Sequence, residues 1–365
     1  MNSKLTDILA SISPTDEAVM AAARARQESL AKPPHSLGRL EDISVKLAGI
    51  TGQIGAPVEK RRVLIFAADN GIVAEGVSSC PQSVTLAQTI NFTRGLTGVA
   101  VLAKHFRTEL DVTDVGINAD FRQPGVRDRK VAMGTRNFAV EPAMTRIQCL
   151  QAMEAGFEAA QKAKDDGMQI IGIGEMGIGN TSTSSAVLST LLGLPAADTV
   201  SRGAGINDES FNRKIRLIDA AIARMTPDPG DPVDVLAKVG GFDLAAMCGA
   251  FLAAAALRLP VVIDGFISAV AALCAFRLCP VSAQYMIPSH ASMEKGYRLA
   301  MEAMGLEPIL NLNMRLGEGS GCPIAFEVCA AAQTVINDMA TFEEAAIDDG
   351  YLEGIRGNRT FLGEA

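Results

Sequence analysis

The chain has 365 residues, of which 48% are hydrophobic and 20% charged, and its formal net charge is −8. This composition excludes an intrinsically disordered chain, and the length suits one large domain with a small accessory domain, or two ordinary domains. The negative charge, together with the lack of a basic stripe, argues against a partner made of nucleic acid.

The predicted elements begin with a helix that starts at Ser13-Pro14-Thr15-Asp16 and runs to about Leu30. Serine can cap a helix, proline suits its first turn, and acids there complement the helix dipole. Short apolar runs then alternate with longer helical patterns, which predicts an α/β fold with a parallel sheet between helices. The predicted strands are Val63–Ala67, Leu110–Val115, Met168–Ile173, Val235–Val239, Val261–Ile263 and Leu312–Leu316, and the predicted helices are 84–105, 145–166, 208–225, 243–258, 290–304 and 321–349.

The most apolar stretch, Leu244–Ala283, is interrupted by Arg258, Pro260, Asp264 and Arg277. No uninterrupted piece reaches the roughly 20 residues needed to span a bilayer, so we expect two buried helices around a buried strand and no membrane partner. The N-terminus also lacks the apolar region of a secretory signal.

The seven cysteines form no Cys-x-x-Cys pair, and several lie in apolar runs. An odd number of buried thiols is typical of a reducing compartment, so we expect a cytoplasmic protein. The three histidines lie far apart with no metal-ligand spacing, and the sequence predicts no metal site.

Nearly every predicted strand runs directly into glycine with an acid or amide nearby. In open parallel sheets, ligands bind outside the carboxyl ends of the strands, so several such loops predict a single active site there. The segments are Asp69-Asn70-Gly71, Gly116-Ile117-Asn118, Gly174-Glu175-Met176-Gly177, Gly240-Gly241-Phe242-Asp243, Asp264-Gly265 and Gly317-Glu318-Gly319.

The run Gly172–Gly177 matches the G-x-G-x-x-G pattern of dinucleotide-binding proteins. However, its first glycine lies within the strand pattern, and no convincing ribose-binding acid follows at the usual distance. The chain continues as Gly179-Asn-Thr-Ser-Thr-Ser184, where backbone amides and hydroxyls at a helix start favour a phosphate cradle over a purely structural cap. A second glycine-rich loop, Ser201–Gly205, precedes Lys214, which could add a point charge although a lone lysine is usually solvated. Without a magnesium–pyrophosphate motif, a monophosphate bound without metal fits best.

Glu318 lies between two glycines at a predicted strand end. Such a site faces a cleft yet is lightly hydrated, which raises a carboxyl pKa toward the range useful for base catalysis. The alternative is a cap for the helix that follows. Glu175 has a similar setting, so the two could form an acid/base pair or one could tune the other. We expect Ser289-His290 to be structural or to line the substrate.

Together these segments resemble one family closely, the nicotinate-nucleotide–dimethylbenzimidazole phosphoribosyltransferases of cobalamin lower-ligand assembly. They span nearly the whole chain in the family's order. The matching segments are Lys32-Pro-Pro-His-Ser-Leu-Gly-Arg-Leu-Glu41, Ala68-Asp-Asn-Gly-Ile-Val73 with Glu75-Gly-Val77, Gly174-Glu-Met-Gly-Ile-Gly-Asn-Thr181, Lys238-Val-Gly-Gly-Phe-Asp243, Asp264-Gly-Phe266, Ile287-Pro-Ser-His290 with Glu294-Lys-Gly296, and Met314-Arg-Leu-Gly-Glu-Gly-Ser-Gly321.

The resemblance implies a Rossmann-like parallel sheet, a small helical domain and a homodimer. We expect the catalytic domain over residues 30–335 and the helical domain over 1–29 plus 336–365. The implied reaction transfers phosphoribosyl from nicotinate mononucleotide to 5,6-dimethylbenzimidazole. It needs no cofactor, because nicotinate leaves as a neutral pyridine and one carboxylate suffices to take the azole proton.

The resemblance also implies roles for single residues, with Cys80 at a position where some family members have serine. The expected catalytic residues are Glu318 and Glu175. The expected contacts to the base are Gln88, Cys80, Met176 and Leu316, and those to phosphate and ribose are Gly177, Asn180, Thr181, Ser182, Gly203 and Lys214.

Two other hypotheses stay open from the sequence. The G-x-G-x-x-G pattern is compatible with an NAD(P)-dependent oxidoreductase, and a non-catalytic sensor could bind a nucleotide on the same loops. The base could be dimethylbenzimidazole, adenine, a phenol or another azole. Glu175 could assist Glu318, tune its pKa or contact the ribose.

Overall fold

Six strands form one sheet, in which each neighbouring pair is parallel, in the order β3-β2-β1-β4-β5-β6. All residues of the central strands β1 and β4 are buried, as expected for a parallel sheet that is covered on both faces. The strands are β1 (Arg61–Ala68), β2 (Glu109–Gly116), β3 (Val126–Asp128), β4 (Ile170–Met176), β5 (Val261–Ile263) and β6 (Met286–Pro288).

The chain is described here by a computed structural model over residues 3–203 and 205–352. The α-helices of this part are α1 (Ser3–Ser11), α2 (Glu17–Ser29), α3 (Arg39–Thr51), α4 (Ser83–Thr93), α5 (Gly98–His105), α6 (Arg146–Asp165), α7 (Asn180–Leu192), α8 (Ala196–Thr199), α9 (Asp208–Met225), α10 (Pro232–Val239), α11 (Phe242–Ala256), α12 (Phe266–Leu278), α13 (Lys295–Met304) and α14 (Cys322–Asp338). Short 3-10 helices cover Gly71–Glu75, Pro280–Tyr285 and Gly350–Leu352. Among these described helices, none combines the length and apolar character needed to cross a bilayer.

The described residues fall into two compact units. The first runs from the start of the described chain to Ser13 and then over Lys60–Ala325, so it contains the whole sheet. The second consists of Pro14–Glu59 and the described chain from Phe326 onward. In the second unit, helices α2, α3 and α14 contribute to a buried apolar cluster of Ala23, Val45, Ala48 and Ile336.

This division differs from the expected domain boundaries at residues 30 and 335. Helix α1 belongs to the larger unit, where Lys4 Nζ lies 2.6 Å from Glu154 Oε1 on α6. Residues 30–59, which include α3, belong to the smaller unit, because Val45 and Ala48 pack in its apolar cluster. The periodicity of the sequence carries no information about which of these amphipathic helices pack together.

The predicted α/β class with a parallel sheet is confirmed, and four of the predicted strands coincide with β1, β2, β4 and β5. The apolar stretch 244–283 forms helix α11, strand β5 and helix α12, as expected. The predicted strand Val235–Val239 is wrong, because these residues end helix α10. Asp231 caps that helix by accepting hydrogen bonds from Val233 N and Asp234 N, and Pro232 lies in its first turn.

The predicted strand Leu312–Leu316 is also wrong, since this segment has no regular structure. Met293 N donates a hydrogen bond to Met314 O there, but no ladder forms. The sixth strand is instead β6, whose three residues are too few to show a periodic pattern. Likewise, the helix predicted over 84–105 is divided into α4 and α5, because Gly95 has a φ of 73° and Thr97 caps a new helix.

Candidate active site

A cavity of about 310 Å³ opens at the carboxyl ends of β4, β5 and β6. Its wall comprises Ser78, Val84, Gln88, Glu175, Met176, Gly177, Ile178, Gly179, Asn180, Thr181, Gly203, Asp264, Gly265, Phe266, Ile267, Ser268, His290, Ser292, Glu294, Arg315, Leu316, Gly317 and Glu318. The loops after β4 and β5 therefore converge with the Glu318 loop, as predicted for one edge of a parallel sheet.

The acids and glycines directly after β1 and β2 do not line this cavity, although Ser78, further along the connection from β1, does. Asp69 Oδ2 accepts a hydrogen bond of 2.8 Å from Asn118 N, and Asp114 Oδ2 lies 3.2 Å from Lys130 Nζ. These acids bind neighbouring loops to each other. The pattern of glycines and acids at strand ends thus indicates the correct edge of the sheet. It does not distinguish the loops that line the cavity from loops with a structural role.

Glu318 stands on a turn with unusual backbone geometry. Gly317, Glu318 and Gly319 have φ angles of 83°, 65° and 84°, so three consecutive residues adopt the left-handed region. Glycine adopts this region without penalty, whereas glutamate does so at a cost. The turn therefore depends on partners outside it.

Two buried carboxylates accept hydrogen bonds from the backbone of this turn. Glu318 N donates to Glu175 Oε1 at 3.3 Å, Gly319 N donates to Asp264 Oδ2 at 3.0 Å, and Gly321 N donates to Asp264 Oδ1 at 2.7 Å. Since Glu175 lies on β4 and Asp264 directly follows β5, the turn is attached to the middle of the sheet.

The Glu318 side chain is itself held on both oxygens, and the residue is 6% exposed. Gln88 Nε2 donates to Oε1 at 2.9 Å, and Val99 N, in the first turn of α5, donates to Oε2 at 3.3 Å. The carboxylate therefore faces α4 and the start of α5. It does not cap α14, which was the alternative role expected from the sequence.

Glu175, Asp243 and Asp264 form a buried acidic group, of which Glu175 and Asp264 line the cavity wall. Asn180 Nδ2 donates to Glu175 Oε2 and, at 3.1 Å, to Asp243 Oδ2. Burial, reinforced by the charge of Asp243, raises the pKa of Glu175 to about 8. Burial also raises the pKa of Asp243 to about 6 and that of Asp264 to about 7. The neutral form of at least one of these carboxyls is therefore favoured near pH 7.

On the other side of the cavity, Lys214 lies beside the start of α7. Its Nζ donates to Thr181 Oγ1 at 2.9 Å and to Ser201 O at 3.4 Å. The side chain is fully buried, and burial lowers its pKa to about 8, while the charge of Glu294 acts in the opposite direction. A cation next to the amino end of a helix is suited to an anionic phosphate.

Most residues expected for the site lie in the cavity wall. These are Glu318, Glu175, Gln88, Met176, Leu316, Gly177, Asn180, Thr181 and Gly203. Lys214 lies behind the wall and contacts Thr181, while Ser182 is buried within α7 and does not line the cavity. Cys80 also lies outside the wall, where its backbone N donates to Ser78 Oγ at 3.2 Å, and Ser78 faces the cavity in its place.

Several wall residues were not selected from the sequence. Asp264, Phe266 and Arg315 belong to segments that the sequence did mark, whereas Val84 and Ile267 are apolar and give no signal. His290 lines the cavity, in line with one of its two expected roles.

His290 does not form a nucleophile triad with its neighbours. Both Ser289 Oγ, at 3.0 Å, and Asp264 Oδ1, at 3.9 Å, approach the same nitrogen, Nδ1. A hydrolase relay needs the two partners on different ring nitrogens. Within the described residues, no three His, Cys, Asp or Glu side chains are arranged so that they could hold a metal ion.

A family model described as phosphoribosyltransferase matches residues 12–347. A relative from Clostridium perfringens, named nicotinate-nucleotide–dimethylbenzimidazole phosphoribosyltransferase, is 50% identical over 358 residues, which cover 98% of this chain and 99% of the relative. The chain belongs to this family. The predicted family and enzyme class are thereby confirmed.

Other members of the nicotinate-nucleotide–dimethylbenzimidazole phosphoribosyltransferase family give the same result. One from Ruminiclostridium cellulolyticum is 50% identical over 329 residues, 90% of this chain and 94% of its own. The crystal structure of the family member from Thermus thermophilus has a TM-score of 0.87 at 39% identity, with 92% of this chain and 100% of that chain covered. The fold described above is therefore that of a phosphoribosyltransferase.

The position of the G-x-G-x-x-G pattern in the fold explains why it does not indicate a dinucleotide-binding loop here. Gly172 and Gly174 lie inside β4, where they pair with Val63 and Ile65 of β1. A Cβ atom at Gly174 would lie 2.6 Å from Glu318 O, so this glycine makes room for the Glu318 turn. Its role in the phosphoribosyltransferase is thus internal packing, not an approach to a pyrophosphate.

Proposed function

We propose that this chain transfers the 5-phosphoribosyl group from nicotinate mononucleotide to 5,6-dimethylbenzimidazole, giving nicotinate and α-ribazole 5′-phosphate in cobalamin lower-ligand assembly. The names of its relatives supply the two substrates. The observation that carries the proposal is the position of Glu318. Its carboxylate lines the same cavity as the start of α7, which Lys214 supports from behind.

In this reaction the phosphate of nicotinate mononucleotide binds at the amino end of α7, near Thr181 and the ammonium of Lys214. A ring nitrogen of dimethylbenzimidazole attacks C1′ from the face opposite nicotinate, and the C1′–nicotinate bond breaks with its electron pair on nicotinate. Inversion converts the β-nucleotide into the α-linked product. The second ring nitrogen then gives its proton to Glu318, which neutralises the cationic azole.

Gln88 has two tasks in this proposal. Its Nε2 atom holds one oxygen of Glu318, and its position in the wall lets it border the base. Ser78, Val84 and Leu316 complete the surface for the base, with Ser78 in the place expected for Cys80. Well-oriented reactants can save roughly 7–11 kcal/mol of the barrier, so this positioning supplies much of the rate.

Glu175 assists the base through its backbone contact. One oxygen accepts Glu318 N and the other accepts Asn180 Nδ2, so both are engaged inside the protein. Of the three roles open from the sequence, support of Glu318 agrees best with these contacts.

We further propose that the enzyme is a cytoplasmic homodimer. The seven cysteines are free thiols, most of them buried, which suits a reducing compartment. Leu96, Val101 and Leu316 are large apolar side chains with more than half of their surface exposed, and Leu316 lies against Gly98 at the start of α5. Exposed apolar side chains of this kind support a subunit interface, which light scattering of the purified chain would test.

The experiment that tests the activity incubates the purified chain with nicotinate mononucleotide and dimethylbenzimidazole and identifies the products by mass spectrometry. We expect α-ribazole 5′-phosphate and nicotinate in equal amounts. Calorimetric binding of nicotinate mononucleotide without turnover on any azole would indicate a sensor. Tight binding of NADH or NADPH would indicate an oxidoreductase.

The Glu318→Gln variant tests the proposed base. Its kcat should fall about 10²–10⁴-fold, the usual contribution of a general base, with little change in KM for nicotinate mononucleotide. Glu302→Gln is the control, because Glu302 is exposed on α13 and pairs with Arg298. Turnover by Glu318→Gln at the wild-type rate would exclude Glu318 as the base.

A further inference from the structure

Asp264 accepts two of the three hydrogen bonds that attach the Glu318 turn to the sheet. Gly319 N and Gly321 N donate to different oxygens of its carboxylate, at 3.0 Å and 2.7 Å. The residue is 2% exposed and directly follows β5, which pairs with both β4 and β6. Its position is therefore fixed by the sheet and not by a mobile loop.

The backbone of the turn is strained, although Ser320 N donates a hydrogen bond of 3.0 Å to Gly317 O within it. Its three left-handed residues include one glutamate, which is unfavourable in this region unless the surroundings impose it. Glu175 accepts the N–H of Glu318, on the amino side of the turn. Asp264 holds the carboxyl side, so that without it the chain after Glu318 would lose both of these hydrogen bonds.

The oxygens of Asp264 are occupied by these backbone donors, with His290 Nδ1 at 3.9 Å from Oδ1. Asp264 also lines the cavity wall, but both of its oxygens already bind the turn, so its carboxylate acts on Glu318 through the backbone. We infer that Asp264 is a positioning residue that fixes the left-handed turn and thereby aims the Glu318 carboxylate at the proton of the attacking base. This inference rests on the proposed function, because it assumes that Glu318 is the base.

The test is the Asp264→Asn variant of the full chain. Asparagine keeps one acceptor oxygen, but its amide N–H₂ would face one of the two backbone N–H groups. We expect kcat to fall about 100-fold, the effect of misplacing a reacting group by about 1 Å, while KM for nicotinate mononucleotide changes less than about threefold. The reason for the split is that the phosphate binds to a different loop.

Asp114 offers a matched control. It is 3% exposed, lies at the end of strand β2, and its Oδ1 atom accepts Gly116 N at 3.0 Å and Ile117 N at 2.8 Å. It does not line the cavity. Asp114→Asn should therefore lower the melting temperature in the same way but leave kcat unchanged. An equal loss of kcat in both variants would show a general structural effect and overturn the inference.

The decisive measurement combines Asp264→Asn with Glu318→Gln. If Asp264 acts only by positioning the Glu318 carboxylate, its substitution can have no further effect once that carboxylate is absent. The double variant should therefore have the same kcat as Glu318→Gln alone. Losses that multiply in the double variant would refute the positioning role. Absence of product from the wild-type chain would instead refute the proposed function, which keeps the two failures distinct.

Hydrogen exchange on the wild-type chain tests the same idea without any variant. The amides of Gly319 and Gly321 should exchange slowly, although glycines in an exposed turn exchange fast. Fast exchange of both amides would refute the inference even if no Asp264 variant folds. Asp264→Ser is the second variant, because its hydroxyl retains one acceptor, and its kcat should again fall with an almost unchanged KM.

Discussion

Gly174→Ala changes the catalytic turn without touching a catalytic side chain. Gly174 lies in β4, at the point where the backbone of the Glu318 turn crosses the strand. A Cβ atom there would lie 2.6 Å from Glu318 O and 2.7 Å from both Glu318 C and Gly319 N. Because all three atoms belong to the backbone, no side-chain rotation can relieve the clash.

The size of the effect follows from these distances. Ordinary contacts of a Cβ atom begin at 3.4 Å, so the turn must move from 2.6 Å to this limit, by about 0.8 Å. A misplacement of about 1 Å costs about 10²-fold in rate. We therefore expect Gly174→Ala to lower kcat between about 10-fold and 100-fold, with KM for nicotinate mononucleotide within about threefold of wild type.

The assay measures initial rates of α-ribazole 5′-phosphate formation with both substrates saturating, normalised to folded protein. Gly249→Ala is the control, because its Cβ meets the Met153 carbonyl oxygen at 2.1 Å where α11 and α6 pack together. This control should lower the melting temperature but keep kcat. A wild-type kcat for Gly174→Ala, at a reduced melting temperature, would refute the conclusion that the position of this turn limits the rate.

Three further predictions concern charge. Burial lowers the pKa of Lys214 to about 8, so the KM for nicotinate mononucleotide should increase at pH values above 8, where the ammonium loses its proton. Lys214→Met should raise this KM about 10–100-fold and make it independent of pH in this range. Burial raises the pKa of folded Glu175 to about 8, whereas in the unfolded chain this carboxyl loses its proton near pH 4.5. The melting temperature should therefore fall as the pH rises from 4.5 to 8, and it should fall less steeply in Glu175→Gln. An equal slope in both proteins would contradict this assignment. Lys32 Nζ lies 2.7 Å from Glu41 Oε1, and both side chains are buried. Lys32→Met leaves the Glu41 carboxylate buried without its cation, so the free energy of unfolding measured in urea should fall by about 3–5 kcal/mol. The double variant Lys32→Met/Glu41→Leu removes both charges and should restore most of this free energy.

The fold can be predicted where the sequence shows long apolar runs between helical patterns. The strands β1, β2, β4 and β5 coincide with such runs. The prediction for Val235–Val239 is wrong because five mainly apolar residues fit a buried strand and a buried helix equally well. Asp231 and Pro232, shortly before them, are the capping signals that indicate a helix.

The acids of the site are predictable to the same extent, since Glu318 and Glu175 each lie beside glycine at the relevant edge of the sheet. What the sequence cannot show is how they are connected. Asp264 binds Gly319, which lies 55 residues further along the chain, and nothing in the local pattern indicates that contact. Similarly, the choice between Ser78 and Cys80 as a wall residue depends on the path of one turn.

The left-handed turn around Glu318 also limits how this enzyme can evolve. Any single-nucleotide missense change in a glycine codon introduces a Cβ atom, and at Gly317 this atom would lie 2.5 Å from Glu175 Oε1, while at Gly319 it would lie 2.6 Å from Val63 Cγ1. Both glycines also have left-handed φ angles, 83° and 84°, so the proposed site of proton removal tolerates few single substitutions at these two positions. Ser78 and Val84 lie in another part of the same wall, so a substitution there would reshape the proposed surface for the base without moving this turn.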